Sequence, residues 1–133
     1  MTKIINILLV EDDPDDVELL ETAFQEYGAS AKFTVIAQGD KVLPFLEGNN
    51  QRPDIILLDL NLPKVHGKLI LAAIKSIIGL SDIPVVILTT SSAQSEIDYC
   101  LDAGAESYFT KPTSTKDFAT IVRTVMDIAV NKL

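Results

Sequence analysis

Short apolar runs rich in β-branched residues alternate along this chain with stretches whose apolar residues recur at helical spacing. The runs cover residues 4–10, 33–37, 55–58, 84–88 and 107–110. The first, third and fourth are almost continuously apolar, as parallel strands covered on both faces are. The second and fifth are more polar and suit less buried positions.

Between the runs, helical patterns take over. Val17, Leu20, Phe24 and Tyr27 share one face, and Gly28 follows as a stop. The second stretch, residues 40–46, is short and carries Pro44, which a helix tolerates only near its start. Residues 65–78 predict a third helix closed by Gly79. Ser91-Ser92-Ala93-Gln94 has capping-box spacing ahead of Ile97, Cys100 and Leu101, with Gly104 as the stop. Phe118, Ile121, Val122, Val125 and Ile128 predict a last helix, with Ser114 as its N-cap and Asp117 three residues on. The order is strand–helix repeated five times. Right-handed crossovers then make all strands parallel and bring their C-terminal ends to one edge. The expected fold class is α/β, a doubly wound five-stranded parallel sheet. One domain over residues 1–133 is expected, with no linker, repeat or output domain.

Composition narrows the function classes. At 133 residues and 47% hydrophobic, the chain can bury a real core without staples. Cys100 is the only cysteine, so no disulfide framework or thiolate metal cluster is available. A net charge of −8 argues against nucleic acid and against anionic membranes as partners. No apolar run approaches the ~20 residues of a membrane span, and the N-terminus lacks signal-peptide organisation. A soluble, cytoplasmic protein is expected.

Chemistry gathers where the apolar runs stop. The first is followed by Glu11-Asp12-Asp13-Pro14, the third by Asp59-Leu60-Asn61-Leu62-Pro63, the fourth by Thr89-Thr90-Ser91-Ser92 and the fifth by Lys111-Pro112. Open α/β sheets bind ligands at this edge. With strand order 2-1-3-4-5, the first and third strands are neighbours, so Glu11, Asp12 and Asp59 converge. Two carboxylates ~4 Å apart repel by ~1 kcal/mol in water and ~4 at an effective dielectric of 20. A hard cation relieves that repulsion. Mg²⁺ fits, with Asp12 and Asp59 giving carboxylate oxygens and Asn61 a backbone carbonyl. Lys111 can hold a phosphoryl oxygen, and the Thr89 hydroxyl can swing onto the same oxygen. A metal, a nucleophilic carboxylate, a cation and a hydroxyl suffice for phosphoryl transfer to aspartate.

The ordered set of motifs resembles the bacterial response-regulator receiver domains. Leu9-Val10-Glu11-Asp12-Asp13-Pro14, Leu58-Asp59-Leu60-Asn61-Leu62-Pro63, Gly67, Val86-Ile87-Leu88-Thr89-Thr90, Gly104-Ala105 and Lys111-Pro112 carry the likeness over essentially the whole chain. It implies the flavodoxin-like, CheY-like (βα)5 fold, with Asp59 as phosphoacceptor and Glu11 and Asp12 as the acidic pocket. Asn61 contributes to Mg²⁺, and Lys111 is the phosphate partner. Thr89 and Tyr108 are the switch pair, and the Lys111–Pro112 bond is expected to be cis. The likeness further implies a sensor histidine kinase as donor, slow autodephosphorylation, and output through a downstream protein, a phosphotransfer partner or a homodimer. The fourth helix, fifth strand and fifth helix form the expected output face. Asp59-Leu60-Asn61-Leu62-Pro63-Lys64, Ile74-Lys75, Leu80-Ser81-Asp82-Ile83-Pro84-Val85-Val86 and Leu88-Thr89-Thr90-Ser91-Ser92 also resemble the small regulators that partner phytochromes. His66 stands where the family usually has an acid, and Leu69 where a charged residue is common.

Simpler roles compete for several of these residues. Glu11 and Asp12 suit a helix N-terminus, leaving Asp13 to cap. Thr89 also suits a strand as filler, and a tyrosine at Tyr108 is often simply half-buried. His66, without clustered partners, reads as a surface residue, and Cys100 as an inert core thiol. One of Leu69, Ile70 and Leu71 must point outward. Three other functions compete with the signalling reading. A haloacid-dehalogenase-type phosphatase needs a second acid where Asn61 stands. A flavodoxin-like nucleotide binder needs a small, neutral first loop in place of three acids. A phosphorylation-independent interaction module would leave the acidic set without a purpose.

Overall fold

The computed structural model describes residues 3–48 and 52–131. Met1, Thr2 and Leu133, at the limits of the expected single domain, lie outside the described residues. Five parallel strands run β1 (Ile5–Val10), β2 (Ala31–Ile36), β3 (Ile55–Leu58), β4 (Val85–Thr89) and β5 (Ser107–Thr110), in spatial order β2-β1-β3-β4-β5. The helices are α1 (Pro14–Glu26), α2 (Val42–Gly48), α3 (Gly67–Ser76), α4 (Gln94–Asp102) and α5 (Phe118–Asn131). Short 3-10 turns, Gly39–Lys41 and Thr115–Asp117, lead into α2 and α5. This is the expected doubly wound fold. Among the described residues no helix is long and apolar enough to cross a membrane.

The alternation of strand side chains splits the core in two. Ile7, Leu9, Leu57, Val86 and Leu88 face α1 and α5, packing on Leu20, Phe24, Ile121 and Val125. Leu8, Val10, Ile56, Leu58, Val85 and Ile87 face the other layer, with Val42, Ile70, Leu71, Ile74 and Cys100. Because β1, β3 and β4 are covered on both faces, their sequences are apolar throughout. The edge strands β2 and β5 are only partly buried, hence their polar positions.

Several element ends differ from the sequence reading. The third helix begins at Gly67 and ends at Ser76, inside the expected 65–78. Lys64 takes a left-handed φ of 76° and His66 is extended, so the helix starts only afterwards; Ile77 is extended at its other end. Ser91 does not cap α4. Ala93 occupies the cap position, and the Ser91 hydroxyl instead donates to Glu96 Oε1 at 3.0 Å. Tyr27 and Leu101, placed on apolar faces, are exposed, and Ala129 is fully buried beside the partly buried Ile128. Of the apolar triplet on α3, Leu69 points outward, at 63% exposed. The Lys111–Pro112 peptide is trans, not cis. Trans is the intrinsically favoured isomer by about 0.5–1 kcal/mol, and the lysine reaches the acids in that form.

One glycine fixes the loop that follows β3. The Gly67 N–H donates to the Leu60 carbonyl at 2.8 Å. A Cβ there would run into the Asp59 carbonyl oxygen and come within 2.7 Å of Leu60 Cα. Both obstacles are backbone, so a side chain cannot rotate away. Gly67→Ala is therefore expected to cost ~1–3 kcal/mol and to displace the Asp59 loop. Gly48→Ala, with no atom of the described residues within 4 Å of the new carbon, is expected to be neutral or stabilising. Urea denaturation of the two variants checks this, and equal tolerance would contradict it.

Candidate functional site at the carboxyl edge of the sheet

Strand register sets the site. Val10 and Leu58 are paired neighbours at the ends of β1 and β3, so Glu11 and Asp59, one residue further, sit side by side. The Asp59 N–H donates to the Val10 carbonyl at 3.1 Å, and the Glu11 N–H to the Ile36 carbonyl at 3.0 Å. These bonds extend the sheet by one residue and direct both carboxylates into the edge. Glu11 is 2% exposed and Asp59 6%, whereas Asp12 is open to solvent. One ligand oxygen from each of Glu11, Asp12 and Asp59 lies within 4.8 Å of the others. The expected acidic cluster is therefore present.

Lys111 enters this cluster from the end of β5. Its backbone N–H donates to the Thr89 carbonyl at 2.7 Å. Its ammonium lies 2.5 Å from Glu11 Oε1, 2.8 Å from Asp16 Oδ2 and 3.1 Å from Asp59 Oδ2. Each acid has a further partner or a reason for its place. Glu11 Oε2 accepts from the Asp13 N–H at 3.2 Å, and Asp59 Oδ1 accepts from the Asn61 N–H at 3.3 Å. Asp13 caps α1 through the Asp15 N–H, as expected, which leaves the other acids free for the site.

The charge balance is uneven. Burial pushes the Glu11 carboxyl up to about 7, helped by the neighbouring Asp59 charge, and the Lys111 ammonium only partly offsets this. Burial also works against the charged Lys111. Hydrogen bonds to Asp16 and Glu11 and the charges of Asp59 and Glu11 outweigh that and hold its pKa above the ordinary lysine range. Burial thus works against the charged form of both groups, and only the lysine has enough opposite charge around it to overcome that. Three carboxylates in reach of one another form a hard-oxygen donor set, and Asp12 gives it a side open to solvent. The cluster fits a divalent metal ion such as Mg²⁺.

The remaining sequence-predicted residues are placed as follows. Thr89, at the end of β4, is fully buried, and its Oγ1 has no hydrogen-bond partner among the described residues. Tyr108 is half-buried, and its hydroxyl donates to the Ser91 carbonyl at 2.8 Å. Burial pushes the phenol pKa up, partly countered by that bond. His66 caps α3, its Nδ1 accepting from the Lys68 N–H at 3.1 Å. The Cys100 thiol lies in the core and is pushed up by burial, as for an unreactive cysteine.

Sequence reasoning missed two features. Asp16 reaches Lys111 from the first turn of α1, but Asp15 and Asp16 are equivalent candidates until the helix phase is known. Glu96 ties Ser91 to Lys68, whose ammonium is 3.2 Å from Glu96 Oε2 and lies over the Tyr99 ring. Only the fold brings those residues together.

Comparison with known proteins agrees with this geometry. The family model described as the response regulator receiver domain matches residues 7–123. Response regulator Rcp1 of Synechocystis is 35% identical over 122 residues, covering 88% of this chain and 83% of that protein. Its Mn²⁺-bound crystal structure superposes with a TM-score of 0.82 over 92% of each chain. The phosphorylated cyanobacterial phytochrome response regulator RcpA superposes with a TM-score of 0.86 at 32% identity, covering 98% of this chain and 97% of that one. The rice two-component response regulator ORR1 is 32% identical over 120 residues, 86% of this chain; the chain spans only 52% of that relative's length.

The raised Glu11 pKa predicts a pH effect on the metal-free protein. Below its usual 4.5, Glu11 is protonated whether folded or unfolded and contributes no pH dependence. Between there and about 7 only the folded chain keeps the proton, so stability falls as pH rises. Above about 7 the loss is complete, up to about 3 kcal/mol. Urea denaturation in chelator between pH 4 and 8 is expected to show Glu11→Gln gaining on the wild type across this window. Parallel curves would contradict it.

Proposed function

Because the chain belongs to the response regulator receiver family, we propose that Asp59 accepts a phosphoryl group from a sensor histidine kinase. The observation that carries this reading is the setting of Asp59. Its carboxylate is 6% exposed, lies in the Glu11–Asp12 cluster, and places one oxygen 3.1 Å from the Lys111 ammonium. In the transfer, an Asp59 oxygen bonds to phosphorus as the P–N bond of the kinase phosphohistidine breaks. The freed imidazole then takes a proton from solvent. Asp12 and Asp59 carboxylates and the Asn61 carbonyl would hold Mg²⁺, with Glu11 acting indirectly. When bound, the ion offsets charge on the phosphoryl oxygens. Lys111 orients and neutralises one of those oxygens.

Thr89 and Tyr108 form the proposed switch. A buried hydroxyl without a partner costs ~1–3 kcal/mol, so Thr89 Oγ1 gains a hydrogen bond by turning to a phosphoryl oxygen. Movement of β4's end then disturbs the Ser91 carbonyl that holds the Tyr108 hydroxyl. Phosphorylation thereby shifts the population between two arrangements of the α4–β5–α5 face. The message leaves by contact with a downstream protein or phosphotransfer partner, or by homodimerisation on that face. Hydrolysis is slow: water attacks the acyl phosphate, releasing phosphate and restoring the Asp59 carboxylate. Likeness to phytochrome response regulators supports a phytochrome-type kinase as donor, and a cytoplasmic receiver is consistent with that role.

Intact-mass measurement after adding acetyl phosphate and Mg²⁺ tests this. A gain of roughly 80 Da, one phosphoryl unit, is expected, and it should vanish in Asp59→Asn. An unchanged mass, or a gain that survives in Asp59→Asn, would overturn the assignment. Thr89→Ala is expected to keep the mass gain but lose most of the accompanying change in the α4–β5–α5 amide resonances.

A further inference from the structure

The Lys111 ammonium has three N–H donors and three carboxylates around it. Two of these, Glu11 and Asp16, lie at 2.5 and 2.8 Å, and the third, Asp59, at 3.1 Å. Glu11 and Asp16 approach from different elements: the end of β1 and the first turn of α1. The Lys111 side chain is 13% exposed, and its route passes a small cleft walled by Leu20, Leu88, Pro112 and Phe118. Apart from Asp16, that cleft offers the ammonium no polar side chain. With two donors held, the remaining N–H is directed at the Asp59 oxygen.

We infer that Asp16 is a positioning residue for the phosphoryl reaction: with Glu11, it fixes Lys111 so that one N–H points at the reacting oxygen of Asp59. The inference rests on the reading of Asp59 as phosphoacceptor. The bonds to Glu11 and Asp16 survive phosphorylation, because neither carboxylate reacts. Only the third N–H changes partner, passing from the carboxylate to a phosphoryl oxygen. Directional restraint of this kind is what a lysine otherwise lacks, since its ammonium is a point charge on a flexible four-carbon stem. Asp16 also ties the start of α1 to the end of β5, so a partner that shifts α1 shifts the lysine.

Two readouts separate this role from a general effect on folding. The first does not need phosphorylation. In the wild type the Lys111 ammonium is expected to give a ¹⁵N resonance protected from solvent exchange, and Asp16→Asn is expected to lose that protection while the thermal midpoint changes little. The second is the rate of acetyl phosphate labelling followed by intact mass. Asp16→Asn is expected to slow it by ~3- to 10-fold, and Asp16→Glu to recover part of the loss. In a Lys111→Met background, Asp16→Asn is expected to have no further effect. Retained ammonium protection in Asp16→Asn would overturn the inference. So would labelling within twofold of wild type, or an equal loss in the Lys111→Met background. If the wild type gains no mass while the ammonium test behaves as described, Asp59 as phosphoacceptor fails and the anchoring of Lys111 stands.

Discussion

One ammonium faces four carboxylates at the carboxyl edge of the sheet. Glu11, Asp16 and Asp59 touch Lys111, and Asp12 completes the cluster on the solvent side. Repulsion between such neighbours runs from ~1 to ~4 kcal/mol per pair, depending on local polarity. A single lysine cannot cancel that: burial, with the Asp59 charge added, still pushes the Glu11 carboxyl up to about 7. The resting site is thus kept short of positive charge. A divalent ion would meet the shortfall, and in the proposed reaction it would share with Lys111 the charge of an anionic phosphoryl group. The proposed phosphoryl transfer and the fit of the cluster to a metal ion rest on the same imbalance.

The rest of the fold holds that imbalance in place. Side chains on both faces of β1, β3 and β4 are packed into the core, so a one-residue slip would force each of them into a differently shaped gap. That register sets Glu11 beside Asp59. The backbone contact at Gly67 secures the loop after Asp59, and the Thr89 carbonyl fixes the backbone of Lys111. Next to these restraints sit the two proposed switch residues. Thr89 Oγ1 has no partner among the described residues, and the Tyr108 hydroxyl donates to one carbonyl of the β4–α4 loop. The Lys68–Glu96–Ser91 chain braces that loop against α3.

Much of this was legible in the sequence, because parallel strands buried on both faces leave uninterrupted apolar runs. The third and fifth runs match β3 and β5 residue for residue. The Glu11–Asp12–Asp59–Lys111 constellation was legible too, since strand ends in this topology share one edge. Helix limits were less so: α3 starts late because Lys64 and His66 leave the helical region, which no periodicity reveals. Ser91 has cap spacing but spends its hydroxyl on Glu96, a partner five residues away. Asp16 escaped notice because choosing between adjacent first-turn acids needs the helix phase and the position of a lysine at the far end of the chain. The cis bond that the family likeness implied at Pro112 is trans here, the intrinsically favoured isomer.

Thermal stability as a function of Mg²⁺ concentration, in wild type and Asp12→Asn, tests the charge imbalance most directly. Asp12 is exposed and lies outside the Lys111 ion pairs, so its neutralisation removes repulsion without orphaning the lysine. The wild type should gain stability steadily with the logarithm of ion concentration. Asp12→Asn should start more stable without metal and gain little from it. A variant no more stable than wild type in chelator, with an undiminished response to Mg²⁺, would contradict a site built on uncompensated negative charge.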